Sequence, residues 1–161
     1  MTGRSDTMLH RGAAVAAAFD AHAPLIGVLL TGPSGAGKSD LALRLIEDCP
    51  YGRTRLISDD YVEVRMQDGG LIAAAAPNIA GLIEARGVGV LKTPPAPPTA
   101  LRLVFDLTAT QERMPRPEWW RADGATLPLY PLRPFEASAP AKIRALARAV
   151  FCGQLPESGQ E

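Results

Sequence analysis

One run, Gly32-Pro33-Ser34-Gly35-Ala36-Gly37-Lys38-Ser39, constrains this chain more than any other feature. It fills the spacing G-x-x-x-x-G-K-[ST], the P-loop pattern. The apolar run Ile26-Gly27-Val28-Leu29-Leu30 before it predicts a buried strand. Asp40 to Glu47 after it predicts a helix with Leu41, Ala42, Leu45 and Ile46 on one face. Strand, glycine loop and helix is the context the pattern requires. Glycines let backbone N–H groups turn inward and form an anion nest, and the opening helix adds free donors and its dipole. Lys38 can then reach the β- and γ-phosphates of a nucleotide, and the Ser39 hydroxyl can ligate Mg²⁺.

The rest of the composition narrows the class. A chain of 161 residues predicts one domain with a real core. Hydrophobic residues make up 47% and charged residues 21%, and formal net charge is zero, so no global field points to nucleic acid or a membrane surface. No apolar run approaches the ~20 residues that span a bilayer. Met1 to Ala23 lacks a basic start followed by an unbroken apolar core, so no signal peptide is expected. Cys49 and Cys152 make no disulfide or metal pattern and read as ordinary thiols of a reducing cytosol.

Along the chain, Met1 to Thr7 is expected to be disordered. Leu9 to Phe19 reads as a strand or a short helix: its alanines favour helix and Gly12 opposes it. Asp20 to Pro24 is a turn, consistent with a hairpin into Ile26. Pro50 and Gly52 close the loop helix, and Thr54 to Ser58 is a short strand with Asp59 and Asp60 at its end. Ligands of parallel α/β sheets bind off such strand ends, so these carboxylates can meet Mg²⁺ and phosphate. Tyr61 to Arg65 and Leu71 to Ala75 form a hairpin about Gln67 to Gly70. Leu82 to Leu91 is a glycine-punctuated apolar run carrying Glu84 and Arg86.

A proline-rich connector, Lys92 to Thr99, leads to the strong strand Leu101 to Leu107. Its Asp106 follows apolar residues as in a Walker B segment and rivals Asp59 and Asp60 for a metal. Thr110 to Asp123, with Arg113, Arg116, Arg121, Trp119 and Trp120, reads as a folded loop packing its tryptophans. Leu127 to Leu132, broken by Pro128 and Pro131, reads as an edge strand. Pro140 opens a last helix with the stripe Ile143, Leu146, Ala147 and Val150. Gln154 to Glu161 is a polar tail, and there is no internal repeat.

Four segments together resemble the HPr kinase/phosphorylase family, in its catalytic domain alone, as in short alphaproteobacterial-type versions without the N-terminal domain. They are the loop Gly32 to Ser39, Leu56-Ile57-Ser58-Asp59-Asp60, Ile83-Glu84-Ala85-Arg86-Gly87-Val88-Gly89-Val90, and His10 in Leu9-His10-Arg11-Gly12. The resemblance implies an α/β fold, a P-loop kinase variant with a mixed β-sheet akin to phosphoenolpyruvate carboxykinase. It implies a cytoplasmic, ATP- and Mg²⁺-dependent protein serine kinase. HPr would be its partner, control of a bacterial phosphotransferase system and carbohydrate metabolism its role, and a hexamer its assembly. The catalytic domain would span 8–152, between a disordered start (1–7) and a polar tail (153–161).

By the same resemblance Gly32, Pro33, Ser34, Gly35, Ala36, Gly37, Lys38 and Ser39 hold ATP phosphates, and Ser39 and Glu84 ligate Mg²⁺. Asp59 is the proton acceptor, and the acid in dephosphorylation. Asp60 supports the metal and phosphate site, and His10 stands near Asp59, with His22 as the alternative histidine. Arg113 corresponds to a family active-site arginine. Leu132-Arg133-Pro134-Phe135-Glu136 stands where the family carries its Pro-x-x-Pro-Gly-Arg segment, which leaves dephosphorylation without its usual segment. Two other readings of the loop remain: a small-molecule kinase or ATPase using Asp106, and a non-catalytic nucleotide sensor.

Overall fold

The computed structural model describes residues 7–108 and 112–156. In chain order the elements are β1 (Met8–Arg11), β2 (Ala13–Ala17), β3 (Ile26–Thr31), α1 (Lys38–Glu47), β4 (Arg55–Ser58), β5 (Tyr61–Gln67) and β6 (Gly70–Ala74). They continue with β7 (Leu82–Ala85), β8 (Gly89–Lys92), β9 (Thr99–Asp106), β10 (Glu118–Ala122), β11 (Ala125–Pro131) and α2 (Ala139–Phe151).

Nine strands form one curled mixed sheet in the order β1-β5-β6-β9-β3-β2-β4, with β11 joined to β9 and β10 to β11. Only β3–β9 and β9–β11 are parallel. β7 and β8 make a separate hairpin. The fold is therefore the mixed α/β arrangement expected from the loop, with both helices on one face.

Period-two alternation divides the core between the two faces. Val28 and Leu30 of β3 pack with Val15, Phe105, Leu41 and Leu45 beneath the helices, and Ile143 and Ala147 of α2 close that layer. Leu29 turns to the other face, with Ile57, Val62 and Val104. The same double burial explains why the alanine run is a strand. Ala13 to Ala18 are at most 1% exposed, and β2 lies between β3 and β4. Pairing on both edges overrides alanine's helical preference.

Two expectations need correction. β11 is not an edge: it pairs with β10 over Ala125 to Leu129 and with β9 over Leu129 to Pro131. Its prolines are tolerated because each is opposed on one side only, Pro128 by Trp119 and Pro131 by Asp106. The segment read as a loop packing its tryptophans contains β10, whose Trp119 is 49% exposed while Trp120 is half-buried. Of the expected disordered start and polar tail, 1–6 and 157–161 lie outside the described residues.

Gly27 of β3 lies against the backbone of β9 at Ala100. A Cβ there would fall inside the van der Waals surface of the Ala100 carbonyl oxygen. Gly27→Ala is expected to destabilise the fold by roughly 1–3 kcal/mol, as overpacking does. An unchanged melting temperature would show that the two strands can separate freely.

Candidate active site

The loop joins the end of β3 to the start of α1. Gly32, Gly35 and Gly37 hold φ of 146°, 85° and 99°, conformations that favour glycine. Gly37 is the N-cap residue of α1, so the first N–H groups of that helix have no intrahelical carbonyl and face the loop. The Lys38 ammonium donates to the Gly32 carbonyl and, at 2.8 Å, to the Pro33 carbonyl. Burial, and after it the Arg11 charge, hold Lys38 below its ordinary pKa, while Asp60 and Asp59 pull the other way.

The Asp59 carboxylate, 8% exposed, joins three elements at the end of β4. Its Oδ1 accepts the Ser39 hydroxyl of α1 at 2.6 Å, and its Oδ2 accepts the Glu84 backbone N–H of β7 at 2.9 Å. Asp60 differs in every respect. It is exposed, at φ 71° in a turn that Gly12 fixes by donating its N–H to the Asp60 carbonyl at 2.9 Å. Its charge acts on both Arg11 and Lys38.

Sequence reasoning gave Arg11 no role. It pairs in register with Tyr61, donates to the Tyr61 hydroxyl at 2.9 Å and lies 5.5 Å from that ring's centre. That places a second cation beside Lys38. The one sequence signal is its position in Leu9-His10-Arg11-Gly12, and the β1–β5 pairing that aims it is not a local pattern.

Glu84 and Arg86 are exposed on the β7–β8 hairpin and line a cleft of about 180 Å³ with Gly35, Lys38, Ser39 and Phe135. The chemistry of this set fits a magnesium-bound phosphate. Hard oxygen donors, the Ser39 hydroxyl and the Asp59 carboxylate, are already within 2.6 Å of each other, and Glu84 shares the cleft.

The other expected residues are engaged differently. His10 makes no hydrogen bond to Asp59. Its ring stands edge-on to Trp120 at 5.1 Å, its Nε2 is buried without a partner, and burial lowers its pKa. His22 is exposed in the turn before β3, at the end of that strand away from the loop. Arg113 lines an outer groove with Arg133, Glu136 and Lys142, apart from the Lys38 cleft. Asp106 is opposite Thr31, but its Oδ1 accepts the Thr108 N–H at 2.9 Å and hydroxyl at 2.7 Å, folding it into its own turn.

A glycine loop at the carboxyl end of parallel strands, backed by a serine–aspartate bridge, defines a P-loop protein. Residues 21–95 match the family model described as HPr Serine kinase C-terminal domain. An HPr kinase/phosphorylase of Clostridium botulinum (strain Eklund 17B / Type B) is 47% identical over 66 residues, 41% of this chain and 20% of that protein. One from Geobacillus sp. (strain WCH70) is 46% identical over 67 residues, again 41% and 20%. The matched stretch thus spans about a fifth of the length of these curated relatives. The HPr(Ser) kinase/phosphatase structure from Coxiella burnetii superposes with a TM-score of 0.73 at 20% identity, covering 91% of this chain and 92% of that one, a likeness of fold. Over residues 21–95, just under half of its length, the chain is thus similar to the C-terminal domain of HPr kinase/phosphorylases. No helix among the described residues is long and apolar enough to cross a membrane.

Lys38→Ala is expected to weaken binding of ATP by about 10- to 100-fold, the loss of a charged hydrogen bond, with an unchanged melting temperature. Calorimetric titration beside a thermal melt checks it. Wild-type affinity in the mutant would remove the loop from the site.

Proposed function

We propose that this protein is an ATP- and Mg²⁺-dependent serine kinase acting on the phosphocarrier protein HPr, and that it thereby regulates a bacterial phosphotransferase system and carbohydrate metabolism. The Asp59–Ser39 bridge beside the glycine loop carries the reading. The relatives named HPr kinase/phosphorylase support the choice of substrate. A cytoplasmic location and a homo-oligomer, a hexamer by family resemblance, belong to the same proposal.

In this reading the N–H groups of Gly32 to Ser39 and the Lys38 ammonium hold the β- and γ-phosphates. Ser39 and Glu84, with Asp59 behind them, would hold Mg²⁺, which would neutralise charge on those phosphates. The family resemblance gives the proton-accepting role to Asp59, but the geometry favours Asp60. Asp59 is buried and each of its oxygens already accepts one hydrogen bond from the protein, so a serine on another protein reaches it less readily than it reaches Asp60. Asp60 is exposed, and its charge acts on both Arg11 and Lys38. It takes the serine proton as the Oγ–P bond forms and the bond from the γ-phosphorus to the bridging oxygen breaks, releasing ADP. Arg11, a second cation whose charge is felt at Lys38, joins in holding the transferring group. His10, neutral against Trp120, supports the strand that carries Arg11. Arg113 has no direct contact with the reacting atoms in this scheme.

The test is mass spectrometry of HPr incubated with the protein, ATP and Mg²⁺. Asp60→Asn is expected to slow serine phosphorylation ~10²–10⁴-fold, the usual cost of a lost general base, with ATP affinity nearly intact. Asp59→Asn is expected to weaken metal and nucleotide binding as well as rate. The opposite pattern returns the base role to Asp59. ATP binding without any HPr phosphorylation favours a nucleotide sensor.

Metal dependence gives an independent check. Ser39→Ala and Glu84→Ala are each expected to raise the Mg²⁺ concentration needed for half-maximal activity, and Asp106→Ala to raise it less. An essential Asp106 with a dispensable Glu84 points instead to a small-molecule kinase or ATPase.

A further inference from the structure

β3, β9 and β11 run parallel and end at one edge of the sheet. There the glycine loop, Leu107–Thr108 and the segment between β11 and α2 enclose an open cleft of about 660 Å³. Its wall is largely apolar, from Pro33, Ala36, Leu107 and Phe135, with Thr108 and Arg133 at hand. It shares Gly35 and Phe135 with the smaller Lys38–Ser39 cleft. Clefts that take small organic ligands run from about 300 to 1,000 Å³. The 180 Å³ beside Lys38 accommodates phosphates but not a nucleoside as well.

Phe135 stands where the two clefts meet. A Cβ on Gly37 would come within 2.8 Å of its ring, so the ring edge rests on the last glycine of the loop. Yet Phe135 is 70% exposed, leaving much of the ring uncovered. Its backbone is held from α1 itself. Arg44 donates to the Pro134 carbonyl and, at 3.3 Å, to the Glu136 carbonyl, and is paired with Asp40 at 2.9 Å. One helix therefore fixes both the phosphate donors at its N-terminus and the aromatic ring beside them. An apolar ring held open to solvent and tethered to a phosphate loop is matched by a ligand with an anionic end and a flat aromatic end.

We propose that Phe135 is the stacking platform for the nucleobase, and that the larger cleft takes the nucleoside half of a nucleotide whose phosphates lie on the loop. The assignment rests on the reading of the loop as a nucleotide site. Stacking uses the π-face that every base presents, so adenine and guanine nucleotides depend on Phe135 alike.

The experiment titrates the full chain, as wild type, Phe135→Ala and Phe135→Trp, with ATP, GTP and inorganic tripolyphosphate in Mg²⁺. Phe135→Ala is expected to weaken ATP and GTP by roughly 5- to 150-fold, the range of base–aromatic stacking. Tripolyphosphate affinity stays at the wild-type value, and Phe135→Trp retains nucleotide affinity. The exposed ring leaves the core intact on truncation, which a thermal melt verifies. Wild-type ATP affinity in Phe135→Ala overturns the proposal, including the case where only the KM for a protein substrate rises. So does an equal loss of tripolyphosphate, which would assign the ring to shaping the loop. If the wild type binds tripolyphosphate but ATP no more tightly, the base platform fails and the phosphate loop stands. If it binds neither, the nucleotide reading itself fails and the platform with it.

Discussion

The Asp59 carboxylate is the joint on which the site is built. It accepts the Ser39 hydroxyl on one oxygen and the Glu84 N–H on the other, so α1, the end of β4 and the β7–β8 hairpin meet at one group. The hairpin needs such an anchor, because two strands alone are marginal in water and these two share no ladder with the main sheet. Ile83 of β7 adds an apolar tie, buried in the core with Leu41 and Leu56, and Leu56 also bridges to Pro95 beyond β8. A buried carboxylate is tolerable only when its oxygens are satisfied. The same requirement that stabilises Asp59 therefore fixes Glu84 and Arg86 opposite the phosphate loop.

What the sequence made legible was what is encoded locally. The loop, its strand and its helix follow from residues within about two turns of one another, and α1 begins at Lys38 as the pattern requires. The hairpin of β5 and β6 follows from alternation and the glycines between them. What escaped depends on contacts distant in sequence. Whether Ala13 to Ala17 is strand or helix is decided by β3 and β4, and whether β11 is central or edge by β9 and β10. The roles of two adjacent aspartates could not be separated from composition. A positive φ turns Asp60 outward while Asp59 points in, and only the turn pinned by Gly12 shows it. Arg11 and Phe135 were silent for the same reason: each is positioned by a partner elsewhere in the chain, Tyr61 for one and Arg44 for the other.

The sheet explains why so much chemistry gathers at one edge. β9 is the hub: its start pairs with β6, its other edge with β3, and its end with β11. Because β3, β9 and β11 are parallel, their carboxyl ends open together, where ligands of α/β sheets bind. The antiparallel strands on the far side of β3 bring the β4–β5 turn, with both aspartates, to that edge. β4 runs in the same direction as β3 across the intervening β2, and α1 is the crossover that returns the chain to its start, so the aspartates at the end of β4 open at the same edge as the loop.

The charges at this edge are arranged against one another in a way that an anion resolves. The chain is neutral overall, yet Lys38 and Arg11 stand close enough for Arg11 to help hold the Lys38 pKa down. Two cations near each other on a partly buried surface cost free energy, and the Lys38 bonds to the Gly32 and Pro33 carbonyls offset only part of it. Neutral carbonyls carry no charge to offset that of the ammonium, whereas phosphate oxygens add an ion pair to the hydrogen bond. A polyphosphate entering the loop therefore exchanges weak partners for strong ones and relieves the repulsion between Lys38 and Arg11. Asp60 opposes this in part, since its carboxylate already attenuates both cations. In the proposed scheme, Asp60 no longer competes with the phosphoryl group for Arg11 and Lys38 once it has taken the serine proton, so the same three side chains would link the proton's departure from the serine to tighter holding of the phosphoryl group.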